Sequence, residues 1–558
     1  MKKFCFAACI FACVLSCALA QKETDGLVYY QSFDNMKIDK EKVKERLANS
    51  ITYQTIFQPA HSEGLRGKAL DLTENVPFRI PLCLTEQECP SYDENGSFSI
   101  QVWVSTLPGA QQGTPIMSNK RTGTTTWTDL PLPDTRDSAG WSIGTRENGA
   151  WSWNISDGRY AYNYEPTAER QAINDGRWHQ ITISVDRERN EMWMFLDGRN
   201  VAIYQLREGR PLGSAATARK TVVGGAPFLL DSDNVQGEWH AFNGKVDQVK
   251  LWSRPVSAAE VRADYEKYFP SATNPPAARK PESLKVQIWN IWGGGHRLGR
   301  HVGVKRVAEV LKRENADIIG VIETYGSGAV LADSLGYYYY LIGRNLSILS
   351  RYPIENTIKL QASPWNAGGT LIDLGDNQKI AFFDIWLDWQ PNTMSYREMN
   401  DKKAIKAYEE GEKKSRLAQI DAILKEIAPY TENSDKVPVI TGGDFNSLSH
   451  LDVNKRTSLV RNGVVFDSPV SESMIRAGYT DSFRERHPDP LITPGNTWSP
   501  VRGNEPGLVA SGDIPIERID YLYYKGEKLT LYHSEALNHH PIFWPSDHGS
   551  VVSSFYLE

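Results

Sequence analysis

The sequence has no apolar run long enough to span a bilayer, no excess of basic charge and no low-complexity tract. A membrane-spanning helix needs about 18 uninterrupted apolar residues, and the longest run, Phe4 to Leu15, falls short of that length. The 62 Lys and Arg residues against 68 Asp and Glu give a net charge of -6. This balance disfavours a protein held on nucleic acid by a basic surface. With 40% hydrophobic and 23% charged residues, the chain also lacks the signature of disorder.

The first twenty residues predict export. Lys2 and Lys3 precede the apolar run, and Ala18-Leu19-Ala20 resembles a signal-peptidase site, which together predict a cleaved secretory signal. An alternative is a lipoprotein box ending at Cys17, which would anchor the mature chain to a membrane by a lipid. On either interpretation we expect the protein to be exported, as a secreted or a periplasmic protein.

Cysteine is scarce outside that segment. Four of the six cysteines lie in the first seventeen residues, which leaves Cys83 and Cys89. In an oxidising compartment the sequence predicts a disulfide between these two that closes a short loop. The alternative is two free, buried thiols.

The chain of 558 residues predicts two or three domains at about 150 residues each. Residues 269–283 are rich in Pro, Ala and Ser and are predicted to be a linker. Before it, from 21 to 268, short alternating runs separated by Asn-Gly and Asp-Gly turns predict an antiparallel β-sandwich. After it, from 284 to 558, apolar strands alternate with helical segments, which predicts a layered α/β fold. We expect a monomer.

Oxygen-bearing side chains lie at the ends of several apolar strands of the second half. They are Asn290, Glu323, Asp444, Asn446, Asp520 and Asp547, with His548 beside the last. Such a set suits a hard cation, Mg²⁺, Mn²⁺ or Ca²⁺, better than zinc. Taken singly, each residue has an alternative as an ordinary cap or turn residue.

The first half resembles the laminin-G-like, concanavalin-type jelly rolls. The matching stretches include GLRGKALDL (64–72), FSIQVWV (98–104), 175–199 and 242–261. The resemblance implies an all-β sandwich with Trp178, Trp193 and Trp252 in its core. It implies a glycan-binding, protein-binding or bracing role without choosing between them. Asp197-Gly198 is expected to be a hairpin turn rather than a calcium site.

The second half resembles the endonuclease/exonuclease/phosphatase superfamily, the DNase-I-like four-layered α/β sandwich. Six blocks occur in the family's order: WN (289–290), ETY (323–325), SILSRYPI (347–354), GGDFNS (442–447), RIDYLYY (518–524) and SDHGSV (546–551). The fold expected for the whole chain is therefore multidomain, a jelly roll followed by this sandwich. The resemblance implies metal-dependent hydrolysis of a phosphoester.

Residue by residue, the resemblance assigns Asn290 and Glu323 to metal binding and places Asp547 beside a metal. Asp444 and Asn446 match the pair that orients the attacking water and holds a phosphate oxygen. Asp520 is expected to orient His548, which matches the family's catalytic histidine.

One position departs from the family's pattern. Trp386 stands where many relatives carry a histidine in a Thr-His-Leu run, and indole cannot shuttle a proton at neutral pH. Asp388 is a possible compensation, or a solvated carboxylate at the end of a strand. Further candidates, each also explicable by surface or structural work, are Arg297, Arg300, His450 and Asp452 as specificity residues, and Tyr325, Arg351 and Arg416 as family positions.

The function favoured by the sequence is that of an exported, divalent-metal-dependent phosphoesterase, specifically a phosphodiesterase, with a jelly roll that targets or braces it. An extracellular nuclease is one alternative. A catalytically inactive protein that binds glycans or proteins is another, suggested by Trp386.

Overall fold

The computed structural model describes residues 25–34, 60–73, 80–82, 89–109, 113–120, 139–206, 212–217, 221–224, 242–270, 280–361, 364–390, 402–461, 463–500 and 517–558. The predicted signal, with Cys17, and Cys83 lie outside these residues. The chain divides into two compact units, residues 1–206 with 211–274, and residues 207–210 with 275–558. The predicted linker overlaps this division, although Phe269 at its start stacks on Tyr265 of the first unit.

The described part of the first unit is built almost entirely of strands. They are β1 (Leu27–Gln31), β2 (Ala60–Glu63), β3 (Lys68–Asp71), β4 (Ile80–Pro81), β5 (Phe98–Ser105), β6 (Pro115–Ser118), β7 (Gly140–Thr145), β8 (Trp151–Ser156), β9 (Ala161–Tyr164), β10 (Trp178–Asp186), β11 (Glu191–Leu196), β12 (Arg199–Gln205), β13 (Val222–Val223) and β14 (Lys245–Trp252). One sheet has the order β2-β3-β14-β5-β10-β11-β12, with β1 also paired to β14. The other has the order β4-β13-β6-β7-β8-β9. Helix α1 (Ala258–Glu266) follows β14.

Tryptophan fills much of the core of this unit, but not at all the positions expected. Trp252 is buried, whereas Trp193 is half-buried against the same cluster and Trp178 is half-buried at the start of β10. The fully buried indoles are at other positions, among them Trp103, Trp141, Trp151 and Trp153. Two of the three core assignments were therefore too deep, because those rings stand near the ends or the outer face of their strands.

The hairpin turn predicted at Asp197-Gly198 is present in the structure. Asp197 and Gly198 have φ values of 52° and 74° and join β11 to β12, as expected of a hairpin turn. Cys89 is disulfide-bonded. Because Cys83 lies outside the described residues, its pairing with Cys89 stays a prediction.

The second unit alternates strands and helices. Its strands are β15 (Ser283–Asn290), β16 (Ile318–Ile322), β17 (Tyr338–Gly343), β18 (Leu346–Ser350), β19 (Ile354–Lys359), β20 (Ala367–Gly375), β21 (Gln378–Trp386), β22 (Val439–Asp444), β23 (Thr480–Asp481), β24 (Asp520–Lys525), β25 (Leu529–Leu537) and β26 (Ser550–Leu557). Its α-helices are α2 (Val302–Glu314), α3 (Gly328–Leu335), α4 (Lys402–Lys414), α5 (Arg416–Thr431), α6 (Pro469–Arg476) and α7 (Ser482–Arg486). None of the described helices is long and apolar enough to cross a membrane.

The strands of the second unit form two sheets that pack face to face. One has the order β17-β18-β16-β15-β26-β25, and the other has the order β19-β20-β21-β22-β24-β23. Outside the second sheet, Ile420 and Ile423 of α5 pack on Phe383 and Tyr521. On the other side, α2 contacts α3, which contacts β17. This is the expected four-layered α/β sandwich, so the fold predicted for the chain is confirmed.

Strand alternation separates the helix-facing residues from those between the sheets. In β21, Phe383 and Ile385 belong to the helix-facing cluster, so Asp384 points between the sheets. The Asp384 carboxylate packs closely against Gly320 of β16 in the facing sheet, since a Cβ at that glycine would lie only 2.7 Å from Asp384 Oδ1. Asp384 is fully buried, and neither of its carboxylate oxygens makes a hydrogen bond of normal geometry. Burial raises its pKa well above the ordinary value, and the backbone N–H groups of Ile385 and Val321 offset only part of this effect.

We therefore expect Asp384→Asn to stabilise the second unit, relative to wild type, more at pH 8 than at pH 5. An acid whose pKa is raised by folding loses stability as pH rises above its unfolded pKa of about 4, by at most about 1.4 kcal/mol per pH unit. The amide does not ionise, so the variant escapes this loss. Its own buried N–H groups cost a pH-independent amount, so the measurement is how the difference in melting temperature changes with pH.

Asp376→Asn, at an exposed position, serves as the control. A difference between wild type and Asp384→Asn that stays constant from pH 5 to pH 8 would show that Asp384 is ionised in the folded protein.

Candidate active site

Three side chains stand in one row across the second sheet. Asp444, the last residue of β22, is the register partner of Trp386 at the end of β21 and of Asp520 at the start of β24. Paired residues of neighbouring strands point to the same side of a sheet. Because Asp384 faces the gap between the sheets, Trp386 two residues later does too, and so do its partners. The row therefore lies at one end of the sandwich, between its sheets.

His548 is joined to this row. Its Nδ1 lies 3.0 Å from Asp520 Oδ2 and 3.2 Å from Oδ1, and both residues are buried. Burial alone would lower the pKa of His548, but the neighbouring carboxylates, Asp520 first and then Asp444, raise it well above its ordinary value. This shift favours the charged imidazolium form, in which Nδ1–H donates to Asp520 and Nε2 faces Asp444.

Asp444 lies at the centre of the cluster. Its Oδ1 accepts a hydrogen bond of 2.9 Å from the backbone N–H of Asn446, and its Oδ2 is 3.8 Å from His548 Nε2. Burial raises the pKa of Asp444 to about 7; the charge of His548 opposes the shift and that of Asp520 adds to it. The Asn446 side chain donates from Nδ2 to the carbonyl of Leu387, which anchors it just beyond the end of β21.

The first sheet contributes Asn290 and Glu323. Asn290 Nδ2 donates to Asp444 Oδ2 at 3.1 Å and to Glu323 Oε1 at 3.2 Å, so one amide joins carboxylates that come from different sheets. Asn290 Oδ1 accepts from the backbone N–H of Trp292 at 3.0 Å. In this arrangement Asn290 contributes two N–H donors that hold the carboxylates together, whereas its carbonyl oxygen, the atom expected to bind a metal, faces a backbone N–H.

A left-handed turn holds Glu323. Residues 292–295, Trp-Gly-Gly-Gly, have φ values of 54°, 57°, 70° and 74°, a conformation that glycine adopts without strain. The backbone N–H of Gly293 donates to Glu323 Oε2 and that of Gly294 to the Glu323 carbonyl, both at 2.7 Å. Glu323 itself has a φ of 58°. The glycine-rich sequence after WN therefore shapes the backbone that fixes this carboxylate.

Several supporting residues had no role in the sequence interpretation. The indole N–H groups of Trp289 and Trp544 both donate to the carbonyl of His548, at 3.0 and 2.6 Å. Ser546 Oγ accepts from the His548 N–H and donates to the Asn290 carbonyl. Thr497 Oγ1 accepts from the N–H of Asp520 at 3.2 Å. The blocks WN and SDH contain Trp289 and Ser546, whereas no family block contains Trp544.

The specificity candidate Asp452 has a structural partner set. It is buried and pairs with Arg484 at 2.5 Å and with Arg518 at 2.8 Å. Arg518 also pairs with Asp481 at 2.8 Å. This network of alternating charges lies directly before Asp520 in the chain and braces the start of β24. With both carboxylate oxygens engaged by buried arginines, Asp452 has a bracing role.

The other peripheral candidates are distributed around the site. Arg297 is exposed and its side chain folds over Gly293 of the turn, whereas exposed Arg300 accepts a bond from His296 at its carbonyl. His450 Nδ1 lies 2.7 Å from Ser471 Oγ, and in the described residues no hydrogen bond or ion pair joins it to the central cluster.

Asp388, the candidate to compensate for Trp386, and two of the family-position candidates, Arg351 and Arg416, have neighbours of their own. Asp388 is exposed, and Gln419 donates to its carboxylate. Arg351 pairs with Asp317, and Arg416 forms a fully buried pair with Glu412. These contacts favour structural work for all three.

The donor set fits a hard divalent cation. Asp444 and Asp520 each bring a carboxylate oxygen within 4.8 Å of the other and of a ring nitrogen of His548, and Glu323 is linked to Asp444 through Asn290. The oxygens are the cation donors of this group, and the charged ring of His548 is not one of them. Half-buried Asp547 adds its charge beside His548. Burial first, and then the charge of Asp520, raise the pKa of Asp444, and a bound cation would offset both effects. Oxygen donors of this kind suit Mg²⁺, Mn²⁺ or Ca²⁺.

Both units of the chain have sequence matches among known proteins. Residues 288–548 match the sequence profile of the Endonuclease/Exonuclease/phosphatase family. Residues 85–262 match that of the Concanavalin A-like lectin/glucanases superfamily, in its laminin-G form. The uncharacterized protein F14F9.5 of Caenorhabditis elegans is 28% identical over 292 residues, which cover 49% of this chain and 91% of that protein.

Solved structures with similar chains include truncated TDP2 of Caenorhabditis elegans, with 19% identity and a TM-score of 0.34 over 49% of this chain and 98% of that chain. The catalytic domain of human Nocturnin with bound sulfate has 16% identity and a TM-score of 0.33 over 50% of this chain and 96% of its own. The profile matches identify what the two units are. The second unit of this chain is an endonuclease/exonuclease/phosphatase family domain, and a laminin-G-like domain precedes it.

Proposed function

We propose that this protein is a divalent-metal-dependent phosphodiesterase. The observation that carries the proposal is the convergence of Asp444, Asp520 and His548, all buried and within 4.8 Å of one another, at the end of a sandwich whose family hydrolyses phosphoesters. Buried charges are costly unless they are paired or bind a metal ion. This cluster places a proton donor, His548, beside carboxylates that could hold a cation and a water molecule.

His548 would act on the phosphoryl group. Held by Asp520, it would present Nε2–H towards Asp444, where it could donate to an oxygen that gains charge during the reaction. Asp520 would act through His548, by keeping it charged and oriented.

Asp444 and Asn446 would position the attacking water. The Asp444 carboxylate is fixed by the N–H of Asn446 and the amide of Asn290, so its remaining acceptor capacity points in a defined direction. Asn446 is a neutral donor, which would contact a phosphate oxygen without adding negative charge.

Glu323, Asp444 and Asp547 would hold the cation, with Asn290 keeping the first two together. When bound, a divalent ion would neutralise phosphate charge and make water more acidic. Trp386 adds no proton-transfer group, so His548 would be the imidazole of the reaction.

We also propose that the protein is exported. The support is the apolar segment with its Ala-Leu-Ala site at 18–20 and the disulfide at Cys89, a bond that persists in oxidising compartments. The laminin-G-like unit would then target or brace the hydrolase outside the cytoplasm, with a glycan or a cell-surface protein as its ligand.

The test is hydrolysis by the purified full chain after metal removal with EDTA. We expect bis-p-nitrophenyl phosphate to be hydrolysed only after Mg²⁺, Mn²⁺ or Ca²⁺ is restored, and faster than the monoester p-nitrophenyl phosphate. Hydrolysis of DNA in preference to small diesters would favour the nuclease alternative. Retention of a folded chain with no hydrolysis of diester, monoester or DNA under any of the three metals would favour the inactive binding protein.

A further inference from the structure

Three partly exposed aromatic residues lie along one edge of the proposed active site. Tyr325 and Trp365 each expose 44% of their surface, and Trp386 is half-buried. Exposed apolar side chains that are grouped beside a site, rather than scattered singly, mark places where something binds.

Trp386 is fixed beside the central carboxylate. It is the register partner of Asp444 and shares its side of the sheet. Asn366 accepts from the Trp386 N–H and donates to its carbonyl, both at 2.7 Å. These bonds fix the backbone of Trp386 next to Asp444, while part of the Trp386 side chain stays open to solvent.

Tyr325 lies on the other side, next to Glu323. Its backbone N–H donates to the Arg344 carbonyl at 2.7 Å, and its φ of 34° turns it out of the line of β16. Burial and then the charge of Glu323 raise the pKa of the Tyr325 hydroxyl, while the charge of Arg297 lowers it.

Hydrogen bonds from backbone and side-chain groups connect the two sides through the backbone of Trp365. The N–H of Thr324, next to Tyr325, donates to the Asn345 carbonyl at 3.3 Å, and Asn345 Nδ2 donates to the Trp365 carbonyl at 2.8 Å. Trp365 directly precedes Asn366, which brackets Trp386. The aromatic rim of Tyr325, Trp365 and Trp386 thus follows one continuous, hydrogen-bonded edge from Glu323 to Asp444.

We propose that the aromatic rim is a subsite for a flat aromatic ring carried by the group that stays on the phosphorus atom. This inference rests on the proposed phosphodiesterase function and specifies the substrate class, a diester with an aromatic non-leaving substituent. Aromatic side chains hold flat rings by stacking, and indole offers a larger stacking face than the imidazole found there in many relatives. Arg297, beside Tyr325, would balance the charge of the anionic ester.

The test compares methyl, cyclohexyl and phenyl p-nitrophenyl phosphate, which share one leaving group and differ in the group that stays. The expected kcat/KM order is phenyl first, with cyclohexyl near methyl. In Trp386→Leu and Trp365→Leu we expect the phenyl-to-methyl ratio to fall about tenfold, as for the loss of one stacking contact. Trp386→Phe should keep most of the preference, and Trp389→Leu, at a 58% exposed indole off the rim, should keep all of it.

Binding separates failure of the subsite from failure of the hydrolase. By calorimetry, phenylphosphonate is expected to bind the wild type more tightly than methylphosphonate, and the difference should disappear in Trp386→Leu. If no ester is hydrolysed but this binding difference is found, the proposed function falls and the ring subsite stands. Equal ratios in wild type and both leucine variants, or a cyclohexyl ester that matches the phenyl ester, would overturn the subsite.

Discussion

His548→Ala is expected to lower kcat on bis-p-nitrophenyl phosphate by about a hundredfold to ten-thousandfold, the usual range for a general acid or base. Asp520→Ala is expected to cause a loss of similar size. The reason is the pair of contacts of 3.0 and 3.2 Å between His548 Nδ1 and the Asp520 carboxylate. Without Asp520, the ring loses both its orientation and the charge that keeps it protonated.

The double variant should fall little below either single variant, since groups that act as a unit are not additive. Steady-state kinetics at saturating metal makes this comparison, and circular dichroism checks folding. His533→Ala, at a side chain that is 48% exposed, is the matched control and should keep full activity. The opposing view is that Asp520 is a metal ligand in the cluster with Asp444 and His548. Losses that multiply in the double variant, with Asp520→Ala rescued by excess metal, would support that view against the dyad.

Glu323→Gln should weaken metal binding and turnover together. The substitution removes one negative charge from the proposed cation site while keeping the size of the side chain. It also creates a local conflict, because Glu323 accepts from Asn290 Nδ2 at one oxygen and from the Gly293 N–H at the other. A glutamine must turn its NH₂ towards one of these donors. We expect the metal concentration for half-maximal activity to rise at least tenfold, with kcat lowered.

Calorimetric titration of Mn²⁺ into the metal-free protein measures the affinity directly. Glu527→Gln, at an exposed position on the same unit, controls for loss of charge in general. Wild-type affinity and wild-type activity at limiting metal in Glu323→Gln would remove Glu323 from the cation site.

The ends of strands were the parts of this site that the sequence could locate. Asp444 ends one apolar run and Asp520 begins another, and the alternation of these runs fixes which side chains face the gap between the sheets. Once the strands pair in register, those two carboxylates must lie side by side. The order of the six family blocks added His548, whose neighbouring residues alone say little.

Contacts between distant segments were beyond reach. That Trp289 and Trp544 would share one carbonyl, or that Asp452 would sit between two arginines, depends on how loops close over the sheets. A Trp after an apolar run, or an Asp in a polar loop, carries no signal for either arrangement. The predicted burial of Trp178 and Trp193 in the first unit was too deep for a similar reason. Alternation predicts which face of a strand a residue is on, but not how completely neighbouring segments cover it.

The placement of β15 against β26 bears on how the chain acquires activity during synthesis. β15 pairs with β26, and Trp289 reaches the His548 carbonyl across 259 residues of sequence. As the ribosome adds residues from the N-terminus, the first strand of this unit must wait for nearly the whole unit before its second neighbour exists, and such distant pairings form slowly. Nascent and truncated chains would carry Asn290 and Glu323 long before they carry His548. On the proposed function, activity would therefore appear only when translation of the unit is essentially finished.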